Sequence, residues 1–137
     1  MKIRIIATVI LATFLLGCFE NDKKQANTAT DVSRDFIRAT LDGNFKDAEA
    51  LLLKDSQNIE IFESYKNYYT KLGVDKKQGY KNANIIINTF DSIDDSTAVI
   101  DYSNSFMHQS QKIRVLKKNN IWGVDFKYTS GDTSIAK

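Results

Sequence analysis

The sequence lacks proline altogether and has one cysteine, one histidine and little net charge in its 137 residues. A single cysteine excludes an internal disulfide framework and a cysteine-rich zinc site. The lone histidine, His108, has no other histidine or cysteine beside it, which predicts no metal site. A formal net charge of +2 does not give the basic surface of a nucleic-acid-binding domain. We therefore expect no metal, no cofactor and no nucleic-acid partner.

What the sequence does contain is the composition of one ordinary folded domain. Apolar residues make up 42% of the chain and charged residues 26%, so wholesale disorder is excluded. The length fits a single domain with a tail, because domains commonly have about 100–150 residues. There is no internal repeat and no low-complexity block.

The N-terminus carries a short apolar run, residues 5–16, behind two basic residues. As a helix this run would rise about 18 Å, less than the about 30 Å of a hydrocarbon core, and it is typical of a secretory signal. It ends in the letters LLGC, which resemble the lipobox of bacterial lipoprotein signal peptides. The resemblance implies that residues 1–17 are removed and that Cys18 is lipidated. A cleaved signal with a free thiol, or an uncleaved short anchor, are the alternatives.

A polar segment, residues 18–29, follows this motif and has no apolar periodicity. It predicts a flexible tether that spans about 20 Å. We therefore expect a lipid-anchored domain of the bacterial cell envelope, facing the periplasm. Phe19, rather than an aspartate, follows the cysteine and slightly favours the outer membrane. Lys2 and Arg4 account for the whole net charge, so the chain from Cys18 onward carries 17 basic and 17 acidic residues.

We place the folded domain at residues 30–128. Its first half shows the apolar periodicity of helices. The pattern predicts a first helix that ends at Gly43, a second over residues 45–52 and a third over residues 56–72. Residues 75–82 are predicted as a polar connection without regular structure.

The apolar period then changes to that of strands. Four strands are predicted, over residues 84–93, 97–106, 112–118 and 121–128, with a frayed tail over residues 129–137. The last strand is expected to place four large residues on one face: Trp122, Val124, Phe126 and Tyr128. Helices followed by an antiparallel meander predict an α+β fold, with N-terminal helices packed on a curved sheet of about four strands.

Two segments resemble nuclear transport factor 2-like domains. Residues 32–52, VSRDFIRATLDGNFKDAEALL, match the opening of such domains, in which a helix ends in an Asp-Gly-Asn turn and a second begins with Phe-Lys. Residues 115–124, VLKKNNIWGV, match their last hairpin. The chain is similar to the small uncharacterised envelope lipoproteins of this superfamily. The resemblance implies a cone-like, cystatin-like domain whose open end is lined by the concave sheet and the long helix. In enzymes of the family, an acid or histidine in that pocket faces a tyrosine.

Candidate acids for such a pocket are Asp91, Asp101 and Asp125 on the predicted strands. Asp101 and Asp125 alternate with apolar neighbours, so strand parity predicts that both point away from the apolar face, toward solvent. His108 is expected in a solvated loop. We therefore assign no catalytic residue. A basic cluster on the third strand and its turn is explained by a charged, exposed strand.

Aromatic side chains are the best candidates for a ligand pocket, because such sites are mostly apolar with a few polar groups. The predicted pocket residues are Tyr65, Tyr69, Tyr102, His108 and Trp122. The core is the alternative for each aromatic residue, and for Trp122 and Phe126 it is the favoured one.

We predict a membrane-anchored, non-catalytic binding domain whose partner is a protein, a peptide or a small apolar ligand. One alternative is an isomerase- or dehydratase-like enzyme that uses a pocket aspartate or His108 with a tyrosine. A further alternative is an immunity-type inhibitor that blocks a toxin by surface contact.

Overall fold

The computed structural model describes residues 28–131, with side chains through Thr129, as helices followed by an antiparallel sheet and a closing helix. This confirms the predicted α+β fold. The elements are α1 Ala29–Asp42, α2 Phe45–Ala50, α3 Ser56–Thr70, α4 Val74–Asn82, β1 Ile85–Asp94, β2 Thr97–Asn104, β3 Gln111–Lys118, β4 Ile121–Asp125 and α5 Phe126–Gly131. The predicted signal peptide, Cys18 and the tether up to residue 27 lie outside the described residues, as does the tail from residue 132. None of the helices in the described range is both long and apolar enough to cross a membrane.

Helix α1 begins and ends where its sequence supplies caps. The Thr28 hydroxyl accepts a hydrogen bond from the Asp31 amide at 3.1 Å, which satisfies one of the unpaired amides of the first turn. Gly43 ends the helix with a φ of 72°, a left-handed conformation that favours glycine. A Cβ at Gly43 would lie 2.9 Å from Cε1 of Tyr69, so α3 also packs against this turn.

Helix α4 corrects the prediction of an irregular connection at residues 75–82. None of its residues is buried, so it has no apolar stripe for the sequence to show. The guanidinium of Arg38, on α1, holds its last turn by donating to the carbonyls of Ala83 at 2.8 Å and of Tyr80 and Lys81 at 3.2 Å each. The helix therefore depends on a contact with a distant part of the chain.

The four strands form one sheet in sequence order, β1-β2-β3-β4. Its inner face packs on α1 and contributes to the core through Ala98, Ile100, Tyr102, Ile113, Val115 and Val124. The rings of Phe36, Phe62 and Phe126 meet above this face with centroids 5.3–5.8 Å apart.

The two edges of the sheet differ. Residues 51–53 cover the edge of β4, because the Leu53 amide donates to the Val124 carbonyl at 2.9 Å and the Val124 amide to the Leu51 carbonyl at 2.8 Å. Strand β1, at the other edge, pairs only with β2 among the described residues, and its register shifts twice along that pairing.

Helix α5 corrects the predicted last strand, which ends at Asp125 instead of residue 128. Phe126 turns into the core against Phe36 and Phe62, and the Lys127 amide donates to Oδ1 of Asn58 at 2.9 Å. The Lys127 ammonium also pairs with Asp55 at 3.1 Å. These contacts with the start of α3 bend the chain away from the sheet, so Phe126 is in the core as expected but Tyr128 does not share a strand face with it.

Candidate functional site

A cavity of about 260 Å³ opens between the helices and one end of the sheet. Five of the six tyrosines of the chain line it: Tyr65, Tyr68, Tyr69, Tyr80 and Tyr102. They come from α3, α4 and β2, three elements that meet at the end of the sheet where β2 leads into the loop before β3.

The floor of the cavity is apolar and its mouth is polar. Phe36, Ile113 and Phe126 line the floor and are each at most 4% exposed. The exposed residues Lys76 and Gln109 line the mouth. The cavity therefore changes from apolar to polar along its depth, which is the usual character of a small-molecule site.

The tyrosine rings pack on one another and on the core. Tyr65 lies 5.7 Å from Phe126 between ring centroids, and Tyr69 lies 6.3 Å from Tyr80. The Tyr69 hydroxyl donates to the Leu41 carbonyl at 3.2 Å, which fixes that ring against α1.

Burial raises the pKa of the Tyr65 and Tyr102 phenols well above the ordinary value of 10.0, and raises the pKa of Tyr69 and Tyr80 as well. The cause is loss of solvation, which disfavours the charged phenolate. These phenols therefore stay protonated at neutral pH. The Tyr69 proton is used in the bond to Leu41, whereas the hydroxyls of Tyr80 and Tyr102 can donate into the cavity.

Thr129 supplies a buried hydroxyl on the α5 side of the cavity. Its side chain is 7% exposed, and Oγ1 has no hydrogen-bond partner among the described residues. Such a group costs about 1–3 kcal/mol when it is left unsatisfied. This hydroxyl is therefore an unsatisfied polar group in the wall of the cavity.

Asn104 shapes the mouth from the sheet side. Its Oδ1 accepts hydrogen bonds from the amides of Phe106 at 3.1 Å and Met107 at 2.9 Å. This turn directs Met107 and Gln109 to the cavity rim. The rim is thus held by a buried side chain rather than left to loop flexibility.

The structure brings together only part of the predicted pocket. Tyr65, Tyr69 and Tyr102 line the cavity, whereas His108 and Trp122 do not. His108 is exposed in the loop after β2, with a φ of 54°, between two residues that do line the rim. Trp122 lies in a separate groove beside residues 50–55, with the Lys117 ammonium 5.7 Å from its ring centroid.

The three candidate acids also lie away from the cavity. Asp91 is exposed on β1. Asp101 faces the outer side of the sheet, where hydrogen bonds from Asn88 at 2.7 Å and Ser110 at 2.5 Å lower the pKa of its carboxyl group.

Asp125 corrects the expectation of a solvent-facing carboxylate, because it is only 2% exposed. Strand parity correctly predicted that the Asp125 side chain points away from the apolar face. Asp125 pairs across the sheet with Arg114, while the adjacent Val124 faces the core. The carboxylate forms an ion pair with Arg114, whose Nε lies 3.0 Å away. Tyr128 of α5 stacks on that guanidinium at 4.6 Å from the ring centroid, so α5 covers a face that a longer strand would have exposed.

No family model, curated protein or solved structure matches the chain. Its function is therefore inferred from the chemistry of the cavity.

Several cavity residues had no signal as site residues in the sequence. Tyr80 lies on the helix that the pattern did not show, and Thr129 lies in the segment predicted as a frayed tail.

Within residues 28–131 no group of three or more histidine, cysteine, aspartate or glutamate residues could hold a metal ion. The lining supplies aromatic faces, hydroxyls, carboxamides and one ammonium, which is binding chemistry: stacking, hydrogen bonding and a single positive charge.

Proposed function

We propose that this domain binds a small, partly apolar ligand in the tyrosine-lined cavity. The observation that carries the proposal is a cavity of about 260 Å³ that is lined by five tyrosines over an apolar floor. An apolar cavity of about 150 Å³ accepts benzene, so the size of this one suits a molecule of one or two rings. Aromatic walls would stack on such a ring, and the hydroxyls would fix its orientation.

The proposal includes a membrane location. The short apolar leader and the LLGC motif support lipidation of Cys18. More than one acyl chain on this cysteine would anchor the domain stably to the membrane. The order of helices and sheet, with a cavity between them, agrees with the resemblance to nuclear transport factor 2-like domains, which stays part of the proposal.

Lipidation is tested with Cys18→Ser in cells fed isotopically labelled palmitate. The parent chain should incorporate the label and partition into detergent, and the variant should not incorporate it. Equal labelling of both chains would show that the anchor assignment is wrong. Because Cys18 is the only cysteine, no other thiol can take the lipid.

Ligand binding is tested by NMR of the full-length chain in detergent micelles, with ¹³C-labelled tyrosine rings. The probe is 2-naphthol, an uncharged molecule of two rings. We expect the signals of Tyr65, Tyr69, Tyr80 and Tyr102 to shift. Tyr128 lies outside the cavity over Arg114 and serves as the internal reference for non-specific partitioning of the probe. No shift at all, or an equal shift at Tyr128, would contradict the proposal.

A variant that obstructs the mouth provides the matched control. Gln109→Trp places a large ring at an exposed position on the rim and should weaken 2-naphthol binding several-fold. Gln78→Trp introduces the same side chain at an exposed position on α4 that does not line the cavity, and should leave binding unchanged. Equal binding by both variants would show that the probe enters elsewhere.

The isomerase-like alternative needs an acid or His108 opposite a tyrosine. The structure places Asp91, Asp101, Asp125 and His108 outside the cavity lining, so no specific observation favours that reaction. We therefore limit the proposal to binding.

A further inference from the structure

The cavity has one formal charge in its lining, and that charge is positive. Lys76 is exposed at the mouth, and among the described residues its ammonium has no ion-pair or hydrogen-bond partner. The neighbouring Lys77 is engaged, because its ammonium donates to the Thr70 carbonyl at 2.8 Å and lies 5.9 Å from the Tyr69 ring centroid. Lys76 is thus the available cation of the mouth.

An acid whose charge acts on the tyrosine wall is already paired. The charge of Asp42 influences Tyr69, but its carboxylate forms a salt bridge of 2.8 Å with Arg38. The lining itself contains no carboxylate. Lys76 is therefore the one formally charged residue of the lining, and its ammonium attracts an anion.

Depth separates this charge from the apolar part of the cavity. Phe36, Ile113 and Phe126 form the buried floor, while Lys76 lies at the solvent side. A ligand that satisfies both regions has an apolar body and a negatively charged head. The wall between them carries phenols that burial keeps protonated, and the Tyr102 hydroxyl can donate a hydrogen bond to an acceptor oxygen.

We propose that the ligand is a monoanionic carboxylate with a planar apolar body, held with its ring among the tyrosines and its carboxylate at Lys76. A carboxylate carries one negative charge, which matches one ammonium. A phosphate monoester carries about 1.5 to 2 negative charges at neutral pH, more than the single ammonium of the lining can balance. This inference rests on the proposed ligand-binding function and adds the chemical class of the ligand.

The test compares two probes of the same shape, 2-naphthoate and its uncharged amide 2-naphthamide. Each is titrated into the tyrosine-labelled full-length chain in micelles of an uncharged detergent, with Tyr128 as the reference. We expect 2-naphthoate to bind about fivefold more tightly, which is the upper range for one solvent-accessible ion pair. Raising the salt concentration should reduce the difference.

Two lysine variants locate the effect. Lys76→Gln should remove the preference for 2-naphthoate and leave the affinity for 2-naphthamide unchanged. Lys81→Gln removes an exposed lysine of the same helix that does not line the cavity, and should keep the preference. Because both positions are exposed, neither variant is expected to disturb folding.

The outcomes separate this inference from the proposed function. If both probes shift the cavity tyrosines with equal affinity, or if Lys76→Gln keeps the preference, the carboxylate assignment is wrong while ligand binding stands. If neither probe shifts those tyrosines and 2-naphthol also fails to do so, the proposed function is wrong as well.

Discussion

Replacement of Asn58 by alanine tests how the turn from β4 into α5 is held. Asn58 is fully buried at the start of α3 and links two helix N-termini. Its Nδ2 donates to Oδ2 of Asp55 at 2.7 Å, and its Oδ1 accepts from the Lys127 amide at 2.9 Å. Alanine removes both bonds and leaves the Lys127 amide without this acceptor.

The expected loss follows from the two bonds. A hydrogen bond to a charged acceptor contributes about 1.5–3 kcal/mol, and one between uncharged groups about 0.5–1.5 kcal/mol. We expect Asn58→Ala to lower the free energy of unfolding by about 2–4 kcal/mol. For a domain of about 100 residues this corresponds to a fall in Tm of about 10–25 °C.

Thermal and urea unfolding followed by far-UV circular dichroism measure this loss, with Asn67→Ala as the matched control. Asn67 is exposed on the same helix, so its replacement should change stability by less than about 0.5 kcal/mol. A double-mutant cycle with Asp55→Ala should show coupling of about 1 kcal/mol or more between Asn58 and Asp55. A loss below about 1 kcal/mol for Asn58→Ala would refute the reasoning, because α5 would then be held by its other contacts, the Lys127–Asp55 ion pair and the packing of Phe126 and Tyr128.

Three further predictions concern the cavity, a turn and acid stability. Thr129→Val keeps the side-chain shape but removes the unpartnered hydroxyl. It should raise the free energy of unfolding by about 1 kcal/mol, and a destabilised variant would contradict this. Gly43→Ala should cost about 1–3 kcal/mol, from the left-handed backbone and the approach to Tyr69, and an unchanged Tm would be inconsistent with it. The backbone N–H of Asn58 and the Lys127 ammonium lower the pKa of the Asp55 carboxyl group from its ordinary 3.8. The stabilising effect of the carboxylate is therefore fully present above pH 3.8 and is lost as the pH falls below that value. Asp55→Asn should therefore lose less stability than the parent between about pH 5 and pH 3 in urea melts, and parallel pH profiles would exclude this role.

The sequence predicted those parts of the fold that depend on the backbone preference of single residues or on the alternation of neighbouring side chains. Gly43 ends α1 because its φ of 72° suits glycine. Asn119 and Asn120 both have positive φ, 50° and 64°, as the predicted hairpin turn requires. Alternation along β2 also gave the correct buried face, from Ala98 to Asn104, because side-chain direction in a strand depends only on parity.

The two helices that the sequence did not predict depend on partners far away in the chain. Arg38 lies 45 residues from the Ala83 carbonyl that it binds. Asn58 lies 69 residues from the Lys127 amide. Neither α4 nor α5 has an apolar stripe, and the aromatic alternation of residues 122–128 imitates a strand. The apolar periodicity of the sequence therefore does not reveal segments whose backbone conformation depends on long-range hydrogen bonds.

The candidate site was predictable only where its residues lie on elements that the sequence predicts. Tyr65 and Tyr69 could be proposed because they lie at helical spacing on α3, and Tyr102 because of strand parity. Tyr80 and Thr129 depend on α4 and α5, so they could not be found. His108 and Trp122 were proposed on residue type alone, and residue type does not fix position.

The open edge of β1 has a consequence for association between molecules. Residues 51–53 close the β4 edge, but β1 presents backbone groups together with Phe90 and Ile93, which are 45% and 63% exposed. Many proteins guard such an edge with proline or lysine, and β1 has neither. Here the two register shifts of β1 and the like charges of Asp91 and Asp94 take that role. We therefore expect a substitution that straightened β1 to increase self-association through this edge without changing the core.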